Sequence, residues 1–204
     1  MILLLTLTGG LCRVFAYVEM IRLGNRDKTY CMPLFALGLN FAWDTVYSVE
    51  GIRDIQMQTI FYIGCLILDA AVMYTYFKYG RERFPEQLRK KFIPLSIAVF
   101  IICFGLQSAF YCQFDIRPAA QYSGFLQNVL TSLLFIHMFY TRSDTRGQSL
   151  SIAAAKGLGT LASVVLQGYV EMTNPYILIC GAISLAADIY YIVLIAGARR
   201  RKAS

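Results

Sequence analysis

Charge is what this sequence has least of. Only 15% of its 204 residues are charged, while 57% are hydrophobic. A soluble domain carries about 25% charge, so there is too little polar surface here to cover a water-facing globule. That excludes a soluble enzyme, a disordered chain and a nucleic-acid binder as readings of the composition. The single histidine, His137, and six cysteines show neither a Cys-x-x-Cys pair nor Cys/His ligand spacing, so no metal is expected. The cysteines read as small packing residues. The five prolines fall in loops or at the ends of apolar runs, and none interrupts a run. No basic residue precedes Arg13, so the start lacks the charged n-region of a cleaved signal peptide and reads as a retained span.

What fills the sequence instead is long apolar runs. A membrane helix needs roughly 20 such residues. Seven runs qualify: 2–22, 31–50, 58–79, 93–114, 119–140, 149–170 and 174–196. The longest connection, residues 80–92, leaves no room for a soluble domain. The expectation is an all-α bundle of seven transmembrane helices, a single membrane domain over residues 1–204. The net charge of +7 then reports topology. Arg22, Arg26 and Lys28 flank the first loop, six basic residues between Lys78 and Lys91 the third, and Arg142 and Arg146 the fifth. Arg199 to Lys202 form the tail. The opposite side has only Arg53 and Arg117. The positive-inside rule puts the N-terminus outside or luminal and the C-terminus in the cytosol.

Ionisable groups inside spans are costly, and each is a functional candidate. At 1.5 Å per residue from the cytosolic ends, Asp44 lies at about 18 Å, Asp69 and Arg13 at about 13 Å. Asp188 lies at about 12 Å and Lys156 at about 10 Å. Five charges from five spans share one layer, with Glu19 and His137 nearer the cytosolic rim. Asn40, Asp44 and Tyr47 share a helix face, as do Ser184, Asp188 and Tyr191, and Tyr62, Asp69 and Tyr76. Each acid thus has a tyrosine at helical spacing. Arg13 and Lys156 are candidate partners for two of the three acids, Asp69 included. One acid is left over, and an unpaired carboxyl in a dry site is a proton donor. Ala155, Gly159 and Ser163 form a small-residue packing row.

The run Asp27-Lys28-Thr29-Tyr30-Cys31-Met32-Pro33, followed by Leu37-Gly38-Leu39-Asn40-Phe41-Ala42-Trp43-Asp44, resembles the signature of the integral-membrane terpene cyclases. These are the meroterpenoid and indole-diterpene cyclases of the pyripyropene and paxilline type. Asp188-Ile189-Tyr190-Tyr191 resembles their second acidic motif, and Asp69 fits a family-like position. The resemblance implies protonation-initiated cyclisation without diphosphate loss and without a cofactor. The implied substrate is a lipophilic prenyl chain, often epoxidised, on an aromatic, polyketide or indole head. The family's two essential acids fall on Asp44 and Asp188. Where the family usually has Glu after Trp43, this chain has Asp. Neither a DDxxD metal cluster nor a DxDD motif is present.

The residues fit this implication. Opening an epoxide or protonating an alkene needs an acid in a water-poor site. Asp44 and Asp188 form a coupled pair whose roles stay unassigned. Asn40, Trp43, Tyr47 and Tyr191 are candidate cavity-lining or cation-stabilising groups. Arg13 and Lys156 are candidate charge partners. The competing class is a small transporter with an acid relay. It predicts related triplets of spans and broken helices, which the sequence does not display. A retinal pigment needs a lysine in the last span, and 174–196 has none. The expected location is a multi-pass position in the endoplasmic reticulum of a eukaryote, or the plasma membrane of a bacterium.

Overall fold

The computed structural model describes residues 1–52, 57–142, 144–171 and 173–203; Arg53 lies outside them. Among the described residues there are seven α-helices and no strand. They are α1 (Ile2–Asp27), α2 (Leu34–Gly51), α3 (Met57–Tyr79), α4 (Phe92–Gln113), α5 (Ile116–Thr141), α6 (Leu150–Val165) and α7 (Pro175–Ala203). Short 3-10 turns, Gly80–Arg83 and Glu86–Lys91, join α3 to α4.

Local chemistry sets the ends. Lys28 takes a left-handed conformation (φ 49°) that stops α1, and the Thr29 N–H turns back onto the Gly24 carbonyl at 3.1 Å. Pro33 precedes α2, where its missing N–H costs no helical bond. The Ser149 hydroxyl accepts the Ile152 N–H at 3.1 Å and starts α6. Asn174 does the same for the Tyr176 N–H at 3.0 Å before α7. Helices α1 and α7 outrun the apolar stretches expected at 2–22 and 174–196, because a helix continues through polar residues until a cap or a left-handed residue ends it. The stretch 149–170 divides into α6 and a π-turn at Leu166–Val170.

The helices close into a bundle. α1 packs on α3 and α6, α7 on α5 and α6, and α2 touches α3, α4 and α5 from within. Polarity is inside-out. Leu3, Leu7, Leu11, Ile97, Ile101, Ile179 and Val193 are exposed, while Asp44, Asp69, Asp188, Gln107 and Ser184 are buried. Lipid is the solvent that makes this arrangement favourable. Five of the helices are long and apolar enough to cross a membrane. α2 and α5 are not among them. The polar residues Asn40, Asp44, Gln127 and Asn128 lower the hydropathy of these two helices, although Leu126 and Leu133 of α5 still face outward.

The end bearing the basic loops is pinned by side chains. Arg83 pairs with Asp144 at 2.9 Å. Arg142 donates to the Tyr30 carbonyl at 2.9 Å and lies 4.2 Å over its ring. The Gly147 N–H donates to Asp27 at 3.0 Å. The first and fifth loops are thereby joined.

Candidate active site

A cavity of about 250 Å³ lies between α1, α2, α5 and α6. Two buried acid–cation clusters flank it. On one side Arg13 of α1 pairs with Asp44 of α2 at 2.5 Å. The guanidinium lies 5.5 Å from the Tyr17 ring centre and 5.8 Å from that of Trp43. Asp69 of α3 abuts the same carboxyl and the Tyr17 hydroxyl, and no cation pairs with it among the described residues. On the other side Lys156 of α6 pairs with Asp188 of α7 at 2.8 Å. Its ammonium also donates to Asn128 at 3.1 Å and Ser132 at 2.5 Å, and Thr160 donates to Asp188 at 3.1 Å. A string of amides spans the gap: Gln107 donates to Gln127 at 2.9 Å, and Gln127 to Asn40 at 3.3 Å.

The cations, not the acids, face the cavity. Arg13, Lys156, Asn40 and Trp43 line it, whereas Asp44, Asp69, Asp188, Tyr47 and Tyr191 do not. The aromatic expectation therefore needs correction. Tyr191 is buried and donates to Gln148 at 3.1 Å, nearer the basic end. Three residues along a helix advance about 4.5 Å, enough to move it out of the acid layer. Tyr47 packs on Trp43, ring centres 4.8 Å apart, and Tyr76 is paired to Ser96 at 3.0 Å. The tyrosine beside the acids is Tyr17, one turn beyond Arg13, which the sequence reading missed although its i, i+4 spacing carried the signal. Asn128 and Ser132, and Lys156 and Thr160, carry the same signal. Asp69 does not receive a cation; the candidate partner Arg13 goes to Asp44. Glu19 pairs with Arg22 at 2.7 Å, and His137 is exposed.

The family model for Pyr4-like transmembrane terpene cyclases matches residues 1–201. The chain belongs to this family. It is 28% identical over 169 residues to the Pyr4-family terpene cyclase mfmH of Annulohypoxylon moriforme, covering 77% of this chain and 66% of that protein. It is 27% identical to the terpene cyclase andB of Emericella variicolor, covering 98% of this chain and 89% of that protein. Identity to the terpene cyclase paxB of Penicillium paxilli is 25%, over 78% of this chain and 66% of that protein. For mfmH and paxB the match thus spans just under two-thirds of the relative's length. No solved structure matches the chain.

Within this family member the signature divides by role. Its loop half, Asp27 to Cys31, is the clamp at the basic end. Thr29 and Cys31 are wholly buried there, and Gly147, at φ 70°, brings its backbone against both. Its helical half delivers Asn40 and Trp43 to the cavity wall and Asp44 to the Arg13 pair behind it. The Trp43 indole is fixed by donation to the Ala120 carbonyl at 3.1 Å, which sets the wall between α2 and α5.

Proposed function

We propose that this protein is a membrane terpene cyclase that closes rings in a lipophilic prenylated substrate by carboxylic-acid protonation, with no diphosphate leaving and no cofactor. The observation that carries the reading is the family match over residues 1–201. The substrate class is a prenyl chain, epoxidised at its far end, on an aromatic, polyketide or indole head. Asp44 and Asp188 are its catalytic acids.

Charge balance supports the acid chemistry. Three buried carboxyls face two half-buried cations, and Asp69 is the one left without a cation. A proton shared between Asp69 and Asp44 cancels the surplus charge, much as two adjoining carboxyls hold one proton elsewhere. Both carboxyls lie behind the cavity wall, so that proton enters the substrate through the Tyr17 hydroxyl, which lines the cavity beside Asp69, as the epoxide C–O bond breaks, and the alkene chain supplies the electrons for ring closure. The final cation loses a proton to the second carboxyl, Asp188, by way of the Thr160 hydroxyl that lines the cavity and donates to it, so the reaction is an isomerisation. A 250 Å³ space lies just below the roughly 300–1,000 Å³ usual for ligand sites, which suits a folded prenyl chain with its head at the margin.

The same reading takes the chain as a single domain crossing the membrane seven times, with the polar residues of α2 and α5 turned into the bundle. The basic loops and C-terminus lie in the cytosol and the N-terminus in the lumen, in the endoplasmic reticulum of a eukaryotic cell. The test is conversion of an epoxyprenyl arene to an isomer by membranes bearing the protein. Asp44→Asn and Asp188→Asn should each abolish it with protein levels unchanged, and wild-type turnover in either variant would remove that residue from the mechanism.

A further inference from the structure

The two cations beside the cavity differ in what they have left to give. An ammonium has three N–H donors, and Lys156 spends them on Asn128, Ser132 and Asp188. It is saturated by protein. A guanidinium has five donors, and both hydrogen bonds of Arg13 leave from Nη2, to Asp44 and to Tyr17. Its Nε and Nη1 make no hydrogen bond within the described structure, its side chain keeps 26% of its surface, and it lines the cavity. Asp44 behind it, and the Tyr17 and Trp43 rings beside it, hold the guanidinium plane in place.

We propose that Arg13 is the substrate anchor of this site, and that its Nε and Nη1 donors hold an oxygen acceptor on the substrate. Unspent donors of a fixed guanidinium on a cavity wall are matched by an oxygen with lone pairs. An all-hydrocarbon prenyl chain offers none. A carbocation formed against a cation is disfavoured, so the Arg13 corner receives the oxygen and leaves the growing cation to the apolar wall of Met32, Phe125 and Phe135, away from both Arg13 and Lys156. Two substrate oxygens have the required chemistry: the epoxide at the end of the prenyl chain, and a carboxylate or carbonyl on the head. The anchor rests on the cyclase reading for its substrate class, but binding is measurable without turnover.

Trp43 is the only tryptophan in the sequence and it lines the same cavity, so its fluorescence reports occupancy. The full chain in detergent would be mixed by stopped flow with three probes, and the initial quench read before any turnover. The probes are 10,11-epoxyfarnesylbenzene, a farnesylated benzoic acid, and farnesylbenzene with neither oxygen. At least one oxygenated probe should bind about 10- to 100-fold more tightly than farnesylbenzene, the value of a hydrogen bond to a charged group. Which of the two shows the preference identifies the oxygen. Arg13→Lys keeps a cation for Asp44 but loses the planar fork, and should lose most of the preference. The neutral pair Arg13→Gln/Asp44→Asn should lose all of it, while Lys156→Met/Asp188→Asn should keep it. Equal binding of all three probes by the wild type, no quench by any, or a preference that survives both Arg13 variants overturns the proposal. If the preference appears and no probe is cyclised, the anchor stands and the cyclase reading fails.

Discussion

A single carboxyl decides little in this site; what matters is which carboxyl has a cation. Asp44 and Asp188 each have one, and Asp69 has none. If Asp69 and Asp44 share the initiating proton, Asp69→Asn should lower kcat by about 10²- to 10⁴-fold, the usual worth of a general acid. The protein should remain in the membrane at wild-type levels, measured by product formation beside an immunoblot. Full activity in that variant would return Asp69 to a purely structural role. The acids were legible in the sequence because charges within apolar runs stand out. Their pairing was not, because Arg13 and Lys156 sit at similar depth and depth alone cannot say which of three acids each one meets. Tyr191 shows a related limit: shared face and short spacing placed it with Asp188, but Gln148 takes its hydroxyl.

At the scale of elements, close helix contacts and the loop clamp hold the cavity walls apart at fixed spacing. A Cβ on Gly181 of α7 would collide with Val164 of α6, so Gly181→Ala should cost about 1–3 kcal/mol by overpacking, seen as a lower Tm in detergent. A Tm equal to wild type would mean the two helices part without cost. The clamp adds a pH dependence. Burial works against ionisation of Asp144, but the Arg83 hydrogen bond, the Arg146 N–H and both cations outweigh it and hold its carboxyl below the usual carboxylate range. Its contribution is therefore complete above the unfolded value of about 3.9 and is lost as pH falls through the lower folded value. The Tm advantage of wild type over Asp144→Asn should shrink below about pH 4; an advantage constant with pH would contradict the pairing. The apolar runs located all seven helices to within a few residues at most ends. The clamp was not legible, since a loop motif such as Asp27 to Cys31 does not reveal that its partner is Gly147, far along the chain.

For the whole molecule, the inside-out polarity and the gathering of basic residues at one end argue for one orientation in the membrane. Cys112 is exposed near the end of α4 that lies away from the basic loops, while Cys31 at the basic end is buried. A membrane-impermeant maleimide should label Cys112 in sealed microsomes only after the lumen is opened; labelling of intact vesicles would invert the topology. The seven-helix architecture was readable from hydropathy because lipid demands long apolar helices. The weaker apolarity of α2 and α5 comes from the polar residues Asn40, Asp44, Gln127 and Asn128, which sit on helices that also carry apolar runs. The most direct test of the central claim is mass spectrometry of products from membranes given an epoxyfarnesyl arene. The account predicts a product of unchanged mass and new retention time, present with wild type and absent with Asp44→Asn. No isomer from any epoxyprenyl arene, or the same isomer from both membranes, would contradict it.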